Sequence, residues 1–118
     1  MSDHPVLDES IVDGLRRLGD DVLMEILQLW FDNLEPNLTA MSTALAAGDR
    51  PALAAAAHTL RGSAANVGAA QLSAACAAVE LSAPTADEAA LAALMDTVTT
   101  AAATAQVAMS ALAEEPPA

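Results

Sequence analysis

The sequence predicts an all-α protein: an antiparallel four-helix bundle with one short additional helix at its N-terminus. Three observations predict it. Of the 118 residues, 31 are alanine and only 2% are aromatic; alanine is the strongest helix former and a poor strand former. Apolar residues recur at spacings of three and four along four stretches, the period of one helix face. Only a few residues separate those stretches, which lays consecutive helices side by side in opposite directions. A chain of 11.9 kDa suits one domain, so residues 1–118 are read as a single unit with 1–7 and 114–118 irregular.

Pro5 breaks the lead-in. Asp8 is positioned to cap a short helix over Glu9 to Leu18, with Ile11, Leu15 and Leu18 on one side and Gly19 as its stop. A long helix follows from about Asp21 to Ala47, with Leu23, Leu27, Trp30, Leu34, Leu38, Met41 and Leu45 on one stripe. Pro36 lies inside it and predicts a kink. Val22, Met24, Ile26, Leu29 and Phe31 make the first half of this helix apolar nearly all round. The short first helix is its expected lid. Gly48 and Asp49 form a stop and a start, with Pro51 in the first turn of the next helix. That third helix runs to about Val67, with Leu53, Ala57, Leu60, Ala64 and Val67 inward, and Gly68 ends it. The fourth, about Ala70 to Leu81, turns Leu72, Ala75, Cys76 and Val79 inward. Pro84 breaks the chain, and Thr85 with Glu88 has the pattern of a capping box. The fifth helix reaches about Ala113, with Leu91, Met95, Val98, Ala102, Ala105, Met109 and Leu112 on one face.

Four arginines face sixteen acids, a net charge of −12. Such a surface repels phosphate backbones and anionic lipid, which argues against nucleic acid and membrane as partners. The lone Cys76 excludes an intrachain disulfide and a multi-cysteine metal site. The first residues show neither a cationic nor an apolar signal region, and no apolar run approaches the ~20 residues that span a bilayer. A cytoplasmic location is expected.

His4 sits in the lead-in and reads as an exposed terminal residue. His58 differs. At 100° per residue it falls about 140° from the inward stripe of the third helix, well out of the core. A surface position leaves an incidental histidine or a functional one. One turn to either side lie Ala54, Ala55, Arg61 and Gly62, with Ala65 beyond, so the imidazole stands on a nearly bare shelf. Gly62 costs roughly 1 kcal/mol against alanine in mid-helix; close approach of a partner would explain it, as would tight packing within the monomer. Arg61, three residues on, can reach a group carried by the imidazole, and its fork suits phosphoryl oxygens. Counting back from a turn near residue 69 places His58 level with roughly position 80. Glu80 there either accepts a hydrogen bond from Nδ1–H of His58, leaving Nε2 as nucleophile, or is a free surface glutamate.

The run Ala57-His58-Thr59-Leu60-Arg61-Gly62-Ser63-Ala64-Ala65-Asn66-Val67-Gly68-Ala69 closely resembles the phosphorylation motif of histidine-containing phosphotransfer (HPt) domains, roughly A-H-x-L-K-G-S-x-x-x-x-G-A. The resemblance extends over nearly the whole chain: Phe31 and Pro36 in the long helix, the Gly48-Asp49 turn, and Leu72 to Glu80. Arg61 stands where lysine is common in the family. The resemblance implies a phosphorelay intermediate. His58 would accept a phosphoryl group from the aspartate of one receiver domain and pass it to that of another. Arg61 would neutralise its oxygens, Gly62 would make room for the receiver, and Glu80 would be the family's residue beside the histidine.

The sequence holds no P-loop, no glycine-rich ATP lid and no Asp/Asn pattern for nucleotide-bound Mg²⁺. The expectation is a stoichiometric carrier with no cofactor or metal of its own, the Mg²⁺ being brought by the receiver. Partners would be response-regulator receiver domains or a hybrid histidine kinase, and the chain itself a monomer. Turning the second and third helices about Gly48-Asp49 sets Ala65 level with Asp32. Leu7, Ile11 and Gln28 with Gly62 and Ala65 then form an apolar-centred docking patch, flanked by Ala54 and Ala55; for Leu7 and Ile11 ordinary packing of a lid helix is the other reading. Two other functions remain open: a module that sequesters receivers without transfer, and a structural helical dimer.

Overall fold

A computed structural model describes residues 4–114. It contains five helices in chain order: α1 (Glu9–Arg16), α2 (Asp20–Ala47), α3 (Arg50–Asn66), α4 (Ala70–Ser82) and α5 (Glu88–Glu114). No strand occurs among the described residues. Helix α3 packs mainly on α4 and α2, and α5 closes the bundle against α4 and α2, with α1 lying on α2. The extents of 48 × 26 × 18 Å follow from the longest helix, since 28 residues in α2 span roughly 42 Å at 1.5 Å per residue.

The core is the set of inward stripes. On α3, Leu53, Ala57, Leu60, Ala64 and the capping Val67 are buried; on α4, Leu72, Ala75, Cys76 and Val79; on α5, Leu91, Met95, Val98, Ala102, Ala105 and Met109. Buried alanines from four helices, among them Ala44, Ala57, Ala75 and Ala102, share this core with the fully buried Leu27, Met41, Leu60 and Met109. Phe31 meets Trp30 edge-on at 5.6 Å between ring centroids, which gives the half-buried ring at the edge of the core a partner.

The helix ends follow their residues. Gly48 takes the left-handed conformation at φ 68°, and Asp49 N–H returns to the Ala44 carbonyl at 2.9 Å, closing α2 as glycine permits. The Asp49 carboxylate then accepts from Ala52 N–H at 3.0 Å and caps α3. Arg50 reaches across to the α4–α5 connection, donating to the Ala83 carbonyl at 2.8 Å and also to that of Ala86. It so satisfies the carbonyl of the residue that caps α4 and one in the connection that follows.

Four expectations need correction. α1 ends at Arg16 rather than Leu18, because the turn into Gly19 (φ 100°) uses Leu18 N–H to the Leu15 carbonyl and Gly19 N–H to that of Arg16. Its buried residue is Val12, at 1% exposure, whereas Ile11 and Leu18 are exposed at 39% and 56%. A helix of eight residues covers little, so Val22, Met24 and Leu29 of α2 stay in solvent and the lid is partial. Finally, Thr85 with Glu88 is not the cap of α5. Asp87 lies next to the first turn and accepts from Ala90 N–H at 2.8 Å, while Thr85 N–H closes the preceding turn onto Ser82. Helix α2 continues through Pro36 to Ala47, and in the turn before the proline the Asn33 amide donates to the Leu29 carbonyl at 2.7 Å.

The lead-in is irregular but tied down. Asp8 N–H donates to the Gly68 carbonyl at 2.6 Å and Gln71 N–H to the Pro5 carbonyl at 2.9 Å, so residues 5–8 cross the α3–α4 turn. Gly68, at φ 80°, is required there twice over: a Cβ would sit 3.1 Å from Ile11 Cβ and 3.2 Å from the Asp8 carbonyl oxygen.

Candidate functional site

His58 lies on the outer face of α3 because its neighbours Ala57 and Leu60 take the inward positions at 0% exposure. Its side chain is 63% exposed. Nothing bulky stands around it: Ala55, Gly62 and Ala65 are exposed, and a Cβ built on Gly62 would meet nothing within 4 Å. Packing within the monomer therefore gives no reason for that glycine.

Helix α4 supplies the second half of the site. Glu80 follows the buried Val79 and turns toward α3, where its Oε2 lies 2.8 Å from His58 Nδ1. Its other oxygen accepts from Arg61 Nε at 2.9 Å. Arg61 Nη2 is itself 3.0 Å from His58 Nδ1. The three side chains thus form a closed triangle on the surface, and the Nε2 edge of the imidazole takes no part in it. A carboxylate accepting from Nδ1–H holds the ring with Nε2 unprotonated, a lone pair facing solvent.

The sequence set Arg61 one turn from His58 and left Glu80 as either a partner of the imidazole or a free surface glutamate; the structure brings all three side chains into contact. One detail differs. Arg61 rests on Glu80 and on the Nδ1 side of the ring, not on the Nε2 side where a carried group would sit. Sequence reading also missed Ser73 of α4, whose hydroxyl donates to the Arg61 carbonyl at 3.1 Å and pins α4 to α3 one turn from His58. The same count from the turn that found Glu80 sets Ser73 level with Ala65, one turn from Arg61, and would have found it.

The docking residues separate into two groups. Ile11, Ala65 and Arg61 border one hollow of about 520 Å³, beneath the lead-in and beside the histidine's shelf. Gly62 and Ala55 are exposed on the same helix. Leu7 and Ala54 instead are half-buried and pack against the core, which limits what a partner can touch. Gln28 is exposed, and its amide donates to Asp32 at 2.9 Å. No group of three or more His, Cys, Asp or Glu suited to a metal occurs among the described residues, and no described helix is long and apolar enough to cross a membrane.

The family model described as Hpt domain matches residues 25–113, which takes in the whole triangle. The chain belongs to the Hpt domain family. Among solved structures, it is similar to histidine-containing phosphotransfer protein B from Pseudomonas aeruginosa PAO1, with a TM-score of 0.86 and 25% identity over 96% of this chain and 98% of that one. It is also similar to the histidine-containing phosphotransfer protein MtHPt2 from Medicago truncatula, with a TM-score of 0.81 and 24% identity over 91% of this chain and 76% of that one. No curated protein sequence matches it at a significant level. Hpt domains are phosphocarriers that work with receiver domains and histidine kinases, and this Hpt domain is a histidine phosphotransfer intermediate of a phosphorelay.

Proposed function

We propose that His58 is the residue that carries the phosphoryl group. Nε2 attacks the phosphorus of a receiver's aspartyl phosphate; the N–P bond forms as the P–O bond to aspartate breaks, and the aspartate leaves as a carboxylate. The ring retains its proton on Nδ1, where Glu80 holds it and offsets the positive charge of the phosphorylated imidazole. Arg61 swings from Glu80 to the phosphoryl oxygens. Its pairing with Glu80 is between groups 40% and 31% exposed, an ion pair worth about 0–1 kcal/mol, so little opposes the swing. The reverse sequence delivers the group to a second receiver. Phosphoryl transfer needs in-line placement and charge stabilisation. This chain contributes the nucleophile and one cation, and the Mg²⁺ that shields the phosphoryl charge belongs to the receiver.

The chain carries no ATP site of its own in this reading. It works as a cytoplasmic monomer, fed by a hybrid kinase or by a receiver alone. A receiver docks over Gly62, Ala65 and Ala55, with Ile11 at one edge and Gln28 at the other; Leu7 and Ala54 support this surface from below.

The observation that carries the reading is the exposed imidazole with its Nδ1 side fully engaged and its Nε2 side open. A two-step chase tests it. The chain, labelled by a phosphorylated receiver with Mg²⁺, is separated and mixed with a second, unphosphorylated receiver. The expected result is label on the second receiver. Binding of receivers with no label ever moving would mark a sequestering module and overturn the proposal.

A further inference from the structure

The triangle contains a conflict that its distances expose. A neutral imidazole nitrogen either carries a proton and donates or carries a lone pair and accepts. His58 Nδ1 faces a carboxylate oxygen at 2.8 Å, which only accepts, and a guanidinium nitrogen at 3.0 Å, which only donates. Both contacts are within hydrogen-bond range, yet one neutral ring nitrogen can satisfy only one of them at a time.

We propose that Arg61 and Glu80 compete for Nδ1 of His58, and that this competition sets which tautomer the imidazole adopts. The inference rests on the reading of His58 as the phosphoryl acceptor. With Glu80 as partner, the proton is on Nδ1 and Nε2 is a nucleophile. With Arg61 as partner, Nδ1 accepts, the proton moves to Nε2, and the lone pair needed for attack is gone. Arg61 in its resting position is thus an inhibitor of the ring it serves. An arriving phosphoryl dianion attracts the guanidinium more strongly than a neutral ring nitrogen does. As Arg61 leaves, Glu80 alone remains at Nδ1, and the nucleophilic tautomer is selected when a phosphoryl group is present to receive. Arg61 then has two functions in one motion: it stabilises the transferred charge and releases the ring.

The test needs no receiver. Protein with ¹⁵N-labelled histidine is examined by NMR at a pH where the imidazole is neutral, and the two ring-nitrogen shifts give the ratio of Nδ1–H to Nε2–H forms; the His58→Gln spectrum assigns the signals. Removing one hydrogen-bond partner should change this ratio about fivefold. Arg61→Ala raises the Nδ1–H share, Glu80→Ala lowers it, and the double variant falls between them. Arg61 and Glu80 are both surface residues, and unchanged helical circular dichroism confirms that each variant is folded. An Arg61→Ala ratio equal to that of the unaltered protein, or a Glu80→Ala shift in the other direction, overturns the competition. A chain that takes no phosphate at His58 yet shows these opposite shifts would defeat the functional reading and leave the competition standing.

Discussion

Replacing Gly62 separates what the fold needs from what a partner needs. The glycine lies in the interior of α3, exposed, and a Cβ there meets nothing within 4 Å. No steric cost offsets the gain in helix propensity, so Gly62→Ala should stabilise the domain by about 1 kcal/mol. With an unfolding entropy of about 2.1 cal/mol/K per residue, that is a rise in melting temperature of roughly 4 °C for a chain of this size. Gly62→Gln should also fold, since the longer side chain extends into solvent. Its bulk then occupies the shelf beside His58, and misfit at a packed contact costs about 1–3 kcal/mol, a slowing of phosphoryl transfer by roughly 5- to 160-fold. Thermal melts monitored by circular dichroism give the first number and transfer kinetics from a phosphorylated receiver give the second. A Gly62→Ala domain no more stable than the parent would mean that the fold itself needs the glycine. Unchanged transfer by Gly62→Gln would remove the shelf as the docking surface.

Gly68→Ala should act in the opposite direction. A φ of 80° costs a non-glycine residue roughly 1–2 kcal/mol, and the added Cβ presses on Ile11 and the Asp8 carbonyl; melting a few degrees lower is expected, and an unchanged melt would contradict the crossing of the lead-in. The Cys76 thiol is pushed up to about 12 by burial, so it should stay neutral and unreactive toward a thiol reagent until the domain unfolds; prompt modification of the native protein would contradict its place in the core. Because its charged form is disfavoured only in the folded state, Cys76 should cost stability as pH rises from its ordinary 9.0 toward that value. The Asp8 carboxylate is held below its ordinary 3.8, chiefly by the Ser10 hydroxyl and also by backbone N–H groups of Ser10 and Ile11. Its contribution to α1 is therefore present above that ordinary value and lost as pH falls through the lowered one. Amide exchange at Ile11 should accelerate over that acidic range in the parent and be fast throughout in Asp8→Ala.

Much of the fold was legible because the bundle is built from whole faces. On α3 and α4 every inward residue named from periodicity is buried, and the hairpin count from the Gly68 turn carried Glu80 to His58 across 22 positions in sequence. Short elements were harder. In α1 a single turn decides which residue is inward, and backbone pairing of the lead-in over Gly68, which no side-chain pattern records, turned Val12 rather than Ile11 to the core. The start of α5 was misread because Asp87 and Thr85 are both plausible caps, and only the turn after Pro84 decides between them. Within the site, spacing set Arg61 beside His58 and brought Glu80 level with it, but did not decide whether Glu80 makes the contact. The resting direction of Arg61 was not legible, since it depends on a carboxylate from another helix.

The most direct measurement is the location of the phosphoryl group. The chain is incubated with a phosphorylated receiver and Mg²⁺, digested at alkaline pH, and the modified residue identified by mass spectrometry. The account predicts an acid-labile, base-stable phosphate on His58 of the parent and none on the His58→Gln variant. Full labelling of that variant, or phosphate on His4 in the parent, would contradict it.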